Sequence, residues 1–224
     1  MGTIKDTVSK DIQAQKAAGI VEKSEYDQAL SQYNLNITDE EVKAAVTKII
    51  AEKVSENDNL EVKKFLLGSV ELTTLSTTDT EEKVLEMVEK VNRFDSEYPD
   101  LPHVAAICAY PCFTKLMADS LEVDGVDITN VTGNFPSSQT FLEVKTIETA
   151  LAIKDGATHI DIVMPVGKFL SGDYEGVCDT INELKQVCGD IPMKVILETG
   201  DLGNVRAIKT ASLLSMYAGA DYIK

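Results

Sequence analysis

Two side chains of this sequence have the types and placement for covalent carbonyl chemistry. Asp161 and Lys224 occupy the same position of a repeated unit: Gly156-Ala157-Thr158-His159-Ile160-Asp161 parallels Gly219-Ala220-Asp221-Tyr222-Ile223-Lys224. Each copy opens with a helix-ending Gly-Ala and enters a strand. A lysine in an otherwise apolar strand is costly to ionise. Desolvation lowers its pKa, so a neutral, nucleophilic amine able to form a Schiff base is expected. A nearby carboxylate would move protons as the carbinolamine forms and dehydrates. Lys194 falls in the run between the two, and Glu198 lies near the end of that run. The same residues also read as a structural ion pair inside a barrel, and spacing does not separate the two readings.

Those groups need elements to hold them. From about residue 66, short β-branched runs alternate with amphipathic stretches. Strand candidates are residues 67–75, 104–110, 126–131, 159–164, 193–198 and 221–224; helix candidates are 81–94, 113–121, 139–154, 174–187 and 204–218. Thr78 with Glu81 reads as a capping box, and Gly156 and Gly219 each follow a helix, where a glycine can take positive φ. Such alternation implies parallel strands joined by crossover helices. They could close as a (β/α)8 barrel or spread as an open doubly wound sheet. No G-x-G-x-x-G follows the first strand candidate, which counts against dinucleotide binding. In a barrel, inward side chains of alternate strands share a layer, so Asp161 and Lys224, on the fourth and sixth strand candidates, are expected in one layer.

Residues 1–65 read as a polar helical extension ahead of an α/β region, 66–224. Thr38 and Glu41 fit a capping box, and Val42, Ala45, Val46, Ile49 and Ile50 follow as one apolar stripe at helical spacing. Residues 24–33 make a weaker helix. Nothing here has catalytic spacing, so packing or a contact within a homo-oligomer is the expected role.

A formal net charge of −16 repels nucleic acid and anionic membranes, while leaving room for a local basic pocket that takes a small anionic substrate. The four cysteines, Cys108, Cys112, Cys178 and Cys188, sit in apolar runs and are expected as buried, reduced thiols. With three residues between Cys108 and Cys112, and only His103 and His159 besides, a Cys/His metal site is not supported. Residues 1–10 show no signal peptide, and no run approaches the roughly 20 apolar residues of a membrane helix, so a cytoplasmic location is the expectation.

Six stretches then carry a resemblance. They are Glu71-Leu72-Thr73-Thr74-Leu75 with Asp79-Thr80; Ala105-Ala106-Ile107-Cys108-Ala109-Tyr110-Pro111; and Asn134-Phe135-Pro136. Next come Glu143, Lys145 and Glu148 leading to Gly156-Ala157 and Ile160-Asp161-Ile162-Val163; Lys194-Val195-Ile196-Leu197-Glu198-Thr199-Gly200; and Ala218 through Lys224. In this order, from about residue 67 onward, they resemble the deoxyribose-phosphate aldolase family. The resemblance implies a TIM barrel of which about six βα units are present, with no metal or organic cofactor. It implies reversible cleavage of 2-deoxy-D-ribose 5-phosphate to acetaldehyde and D-glyceraldehyde 3-phosphate. Lys224 matches the family's Schiff-base lysine, Asp161 its proton-transfer aspartate, and Lys194 an interior lysine near the reacting carbon. Cys108 and Thr73 match pocket-lining residues. Glu71 stands where the family usually has aspartate.

The six strand candidates are two short of a closed barrel. The family's second catalytic lysine and its phosphate-gripping loops belong to later strands. The expectation is therefore that these residues are a portion of a longer functional chain, with little aldolase activity by themselves. Two rival readings stay open. One is another Schiff-base barrel, an aldolase or thiolase acting on a different sugar phosphate. The other is a non-catalytic, degenerate barrel serving as an interaction protein, for which Glu71 and the early stop speak.

Overall fold

A computed structural model describes residues 24–224; the polar residues 1–10 lie outside it. Six strands form one parallel sheet in sequence order: β1 (Glu71–Thr73), β2 (Ala106–Ala109), β3 (Asp127–Thr132), β4 (His159–Val163), β5 (Met193–Ile196) and β6 (Tyr222–Ile223). Between them run α4 (Glu81–Glu97), α5 (Thr114–Ser120), α6 (Leu142–Lys154), the short α7 (Val166–Ser171), α8 (Tyr174–Cys188), the short α9 (Thr199–Leu202) and α10 (Val205–Tyr217). Ahead of β1 stand α1 (Glu25–Leu30), α2 (Asp39–Asn57) and α3 (Leu60–Leu67).

The sheet curls. Glu71 on β1 touches Lys194 on β5 at 2.9 Å and Lys224, just past β6, at 2.6 Å. In a flat sheet with ~4.8 Å between strands, β1 and β6 would be roughly 24 Å apart. The architecture is thus six strands of a parallel barrel, the first five each followed by helix, with helices outside and one row of side chains from every strand turned inward.

Two apolar clusters fix the helices to the sheet. Val84, Val88 and Val91 line one face of α4 at helical spacing and pack with Ile107, Met117 and Ile128. Ile160, Ile162, Val195 and Leu197 pack with Val177, Ile181 and Leu184 of α8 and with Ala211 and Leu214 of α10. Gly156 and Gly219 take φ of 113° and 104°, as expected for residues that end α6 and α10.

Several local expectations are corrected. The first strand is shorter than 67–75, because its opening residues finish α3, a helix capped by the Asn59 side chain on the Val62 amide at 3.0 Å. α4 is capped by Thr80, whose hydroxyl accepts from the Lys83 amide, whereas Thr78 bonds instead to Ser76. The Thr38–Glu41 capping box forms and the start of α2 meets α10, where the Val205 amide donates to Asp39 at 2.9 Å, but the stripe beyond the half-buried Val42 is open: Val46, Ile49 and Ile50 are exposed. The weaker helix α1 docks more deeply, and its Leu30 joins the main core beside Tyr26 and Leu35. No helix among the described residues is long and apolar enough to cross a membrane.

Candidate active site

The strand register explains which inward side chains meet. Asp161 pairs across the ladder with Lys194, and Lys194 with Tyr222. Asp161 thus leads through Lys194 to Tyr222, and Lys224 lies two residues beyond. In the same way Glu71 leads through Ala106 to Asp127, and Thr129 lies two residues beyond; Cys108 leads through Thr129 to His159, and Asp161 lies two beyond. An offset of one residue per strand is the stagger of an eight-stranded barrel with shear 8, and residues so related share a level about the axis. Glu71, Thr129 and Lys194 make one level from odd strands. Cys108, Asp161 and Lys224 make the adjoining level from even strands.

At the junction of those levels four charges close into a ring. Lys194 Nζ donates to Glu71 Oε1 at 2.9 Å and to Asp161 Oδ1 at 3.0 Å. Lys224 Nζ donates to Asp161 Oδ2 at 2.5 Å and to Glu71 Oε2 at 2.6 Å. Each carboxylate bridges both lysines, one oxygen to each, and signs alternate around the ring. Glu71, longer by a methylene than aspartate, spans both amines. Asp161 is fully buried, Lys194 and Glu71 largely so, and Lys224 is the most open member. Thr129 Oγ1 lies 3.4 Å from Lys194 Nζ. It was not singled out from sequence, although the same alternation that turns Val131 inward places it there.

The electrostatics correct one expectation. Burial does draw the Lys224 ammonium down, but the hydrogen bonds and charges of Asp161 and Glu71 outweigh it and hold its pKa above the ordinary lysine value. For Glu71, burial pushes upward while bonds to Lys224, Lys194 and Thr129 pull harder, leaving its carboxyl at about 2. Burial, then the charges of Glu71 and Asp161, push the Cys108 thiol up to about 12. Glu71, Cys108 and Asp161 bring candidate ligand atoms within 4.8 Å of one another. Their chemistry suits a metal poorly, since the thiol stays protonated and all four carboxylate oxygens already bind ammonium groups.

Other sequence candidates are placed less centrally. Thr73 is exposed and its hydroxyl donates to the Glu71 carbonyl at 3.0 Å. Glu198 has a left-handed backbone, φ 56°, and faces solvent. Cys108, Cys178 and Cys188 are buried as expected, but Cys112 is exposed, in the turn that follows β2. The remaining motif residues brace the rim: Tyr110 donates to the Leu75 carbonyl at 3.1 Å and packs edge-on to Phe135, and Glu148 accepts from the Asn134 amide at 2.8 Å. A pocket of about 430 Å³ reaches Glu71, Lys194 and Lys224 from the side of Ser69, His159 and Tyr222.

Comparison with known proteins decides the family. The model for DeoC/LacD family aldolases matches residues 65–224. The chain belongs to the DeoC/LacD aldolase family. Human deoxyribose-phosphate aldolase is 34% identical over 170 residues, 69% of this chain and 52% of that protein, and the mouse protein is alike at 34%. The chain spans about half the length of these curated relatives. Among solved structures, an aldolase named QR15 superposes with TM-score 0.62 at 28% identity, over 70% of this chain and 66% of that one. Deoxyribose phosphate aldolase from Aeropyrum pernix does so with TM-score 0.60 at 27% identity, over 74% and 66%. The ring residues all lie within the stretch that the DeoC/LacD model matches.

Proposed function

We propose that this member of the DeoC/LacD family carries the reacting centre of a deoxyribose-phosphate aldolase, cleaving 2-deoxy-D-ribose 5-phosphate reversibly to acetaldehyde and D-glyceraldehyde 3-phosphate. The single observation that carries the reading is the alternating ring of Glu71, Lys194, Asp161 and Lys224. Lys224 is the amine at its open edge. Once deprotonated, it adds to the substrate carbonyl carbon; loss of water gives an iminium. The hydroxyl on the far carbon then loses its proton and becomes the carbonyl of the departing D-glyceraldehyde 3-phosphate, while the iminium accepts the electron pair of the breaking carbon–carbon bond and becomes an enamine. Protonation of the enamine carbon and hydrolysis then release acetaldehyde. Asp161, bonded to the amine, is placed to take and return protons in these steps.

The raised pKa of Lys224 fits this chemistry better than desolvation alone suggests. The iminium carries the same positive charge at the same nitrogen. Carboxylates that resist loss of the ammonium proton therefore also stabilise the covalent intermediate. Lys194, paired to the same two carboxylates, keeps a balancing cation in the site while Lys224 is neutral.

Substrate identity rests on the likeness to proteins named for it. Two observations support a homo-oligomer: the aldolase from Aeropyrum pernix is tetrameric, and the apolar stripe of α2 is exposed. The test is borohydride reduction of the protein, as its source makes it, in the presence of acetaldehyde, followed by peptide mapping. A two-carbon adduct on Lys224 is expected; an unmodified Lys224 in folded protein refutes the mechanism. Retro-aldol rates on deoxyribose 5-phosphate and on ketose phosphates separate this substrate from the other Schiff-base barrel reactions.

A further inference from the structure

One more lysine is buried away from the ring. Lys145 on α6 is 3% exposed, and its Nζ donates to Ser138 Oγ at 2.7 Å. It makes no ion pair among the described residues, and Glu148 acts on it only through space, being bonded to the Asn134 amide. Burial, then the charge of Lys168, lower its pKa to about 8, so at neutral pH it is mainly a cation. A buried cation facing one neutral hydroxyl is an expensive arrangement unless an anion completes it.

The surroundings fit such an anion. Lys145 borders a pocket of about 790 Å³ lined also by Ser137, Ser138, Thr140, Lys168 and Asp179. Two cations and four hydroxyls, that of Thr180 included, face one carboxylate there, within a molecule of net charge −16. Phe141 and Leu142, at the start of α6, border it as well, and the cap residue Phe141 supplies no side-chain acceptor to that helix end. The pocket lies over the packed pair α6 and α8, and it shares no lining residue with the pocket that reaches the ring.

We propose that this pocket is a second ligand site, taking a phosphate-type dianion, free or as the monoester of a small molecule, between Lys145, Lys168 and the Ser137, Ser138 and Thr140 hydroxyls. Its volume accommodates an organic group beside the phosphate. It is separate from the covalent chemistry and independent of the substrate proposed above.

Titration calorimetry on the protein as its source makes it, with sulfate, inorganic phosphate and glycerol 3-phosphate, tests this. Lys168→Gln, a surface change safe for folding, is expected to weaken binding roughly two- to fivefold. Lys145→Met is expected to weaken it by roughly tenfold or more, with Lys145→Arg restoring part of the loss. Tighter binding of glycerol 3-phosphate than of phosphate assigns an organic monoester; equal binding assigns the free ion. A crystal soaked in selenate should show its anomalous peak beside Lys145 Nζ. Affinity unchanged in both Lys168→Gln and Lys145→Met, or a selenate peak absent from this pocket, overturns the proposal.

Discussion

Glu71 shows how much chemistry a single side chain can control. It holds both lysines of the ring, so its removal as a charge reaches Lys224 directly. Glu71→Gln keeps the shape but withdraws one of the two carboxylates that hold the ammonium up. The Lys224 pKa should fall, and the acid limb of the kcat/KM profile should move to lower pH by about one unit or more. Turnover should fall at the same time, because the iminium loses a counter-charge. An acid limb that stays put in Glu71→Gln would uncouple this carboxylate from the reacting amine. The cysteines offer a second check at this scale. Burial keeps Cys108 protonated, whereas Cys112 is exposed. Brief alkylation with iodoacetamide near neutral pH should label Cys112 and spare Cys108, read by peptide mass.

The helix-to-strand corners are where single elements are most easily broken. Gly156 ends α6 at φ 113°, and a Cβ there would sit 2.7 Å from the Ala118 Cβ. Gly156→Ala therefore meets both a disfavoured backbone and a rigid neighbour. It should cost about 2 kcal/mol or more in urea unfolding. Gly167→Ala, at an ordinary φ with nothing within 4 Å, should be neutral or slightly stabilising and serves as the control. α1 is a further element whose worth is measurable. Leu30 is 7% exposed within the main core, so Leu30→Ala should destabilise the whole fold by about 2–4 kcal/mol rather than loosen an appendage.

For the molecule as a whole, the ring ties stability to pH. The Glu71 carboxyl falls from 4.5 to about 2 on folding. A depressed carboxyl contributes stability that is fully present above its unfolded value and is lost as pH falls through the folded one. The window is thus between 4.5 and about 2, and the contribution is on the order of 2–3 kcal/mol. Acid unfolding followed by circular dichroism should show wild type losing this increment across that window. Glu71→Gln should begin less stable and fall less steeply there. Equal slopes for the two proteins would mean that the ring adds nothing to folding.

Much of this protein was legible in its residues because the signals are local. Strand and helix alternation follows from hydrophobic period and turn chemistry, so the parallel α/β order, the glycine corners and the repeated unit carrying Asp161 and Lys224 could all be read along the chain. The layer shared by those two residues followed as well, since strand parity and barrel stagger are properties of the architecture. Three things had to wait for the tertiary structure. Local pattern made α1 the weaker helix and α2 the striped one, yet docking depends on which surface lies opposite. Thr129 looked like any strand threonine until the stagger set it beside Lys194. Desolvation alone suggested a lowered Lys224 pKa, but a pKa is a sum over neighbours. Asp161 and Glu71 together reverse that sum, and Glu71, 153 residues away in sequence, takes part only because the sheet curls far enough to bring its first strand against β6.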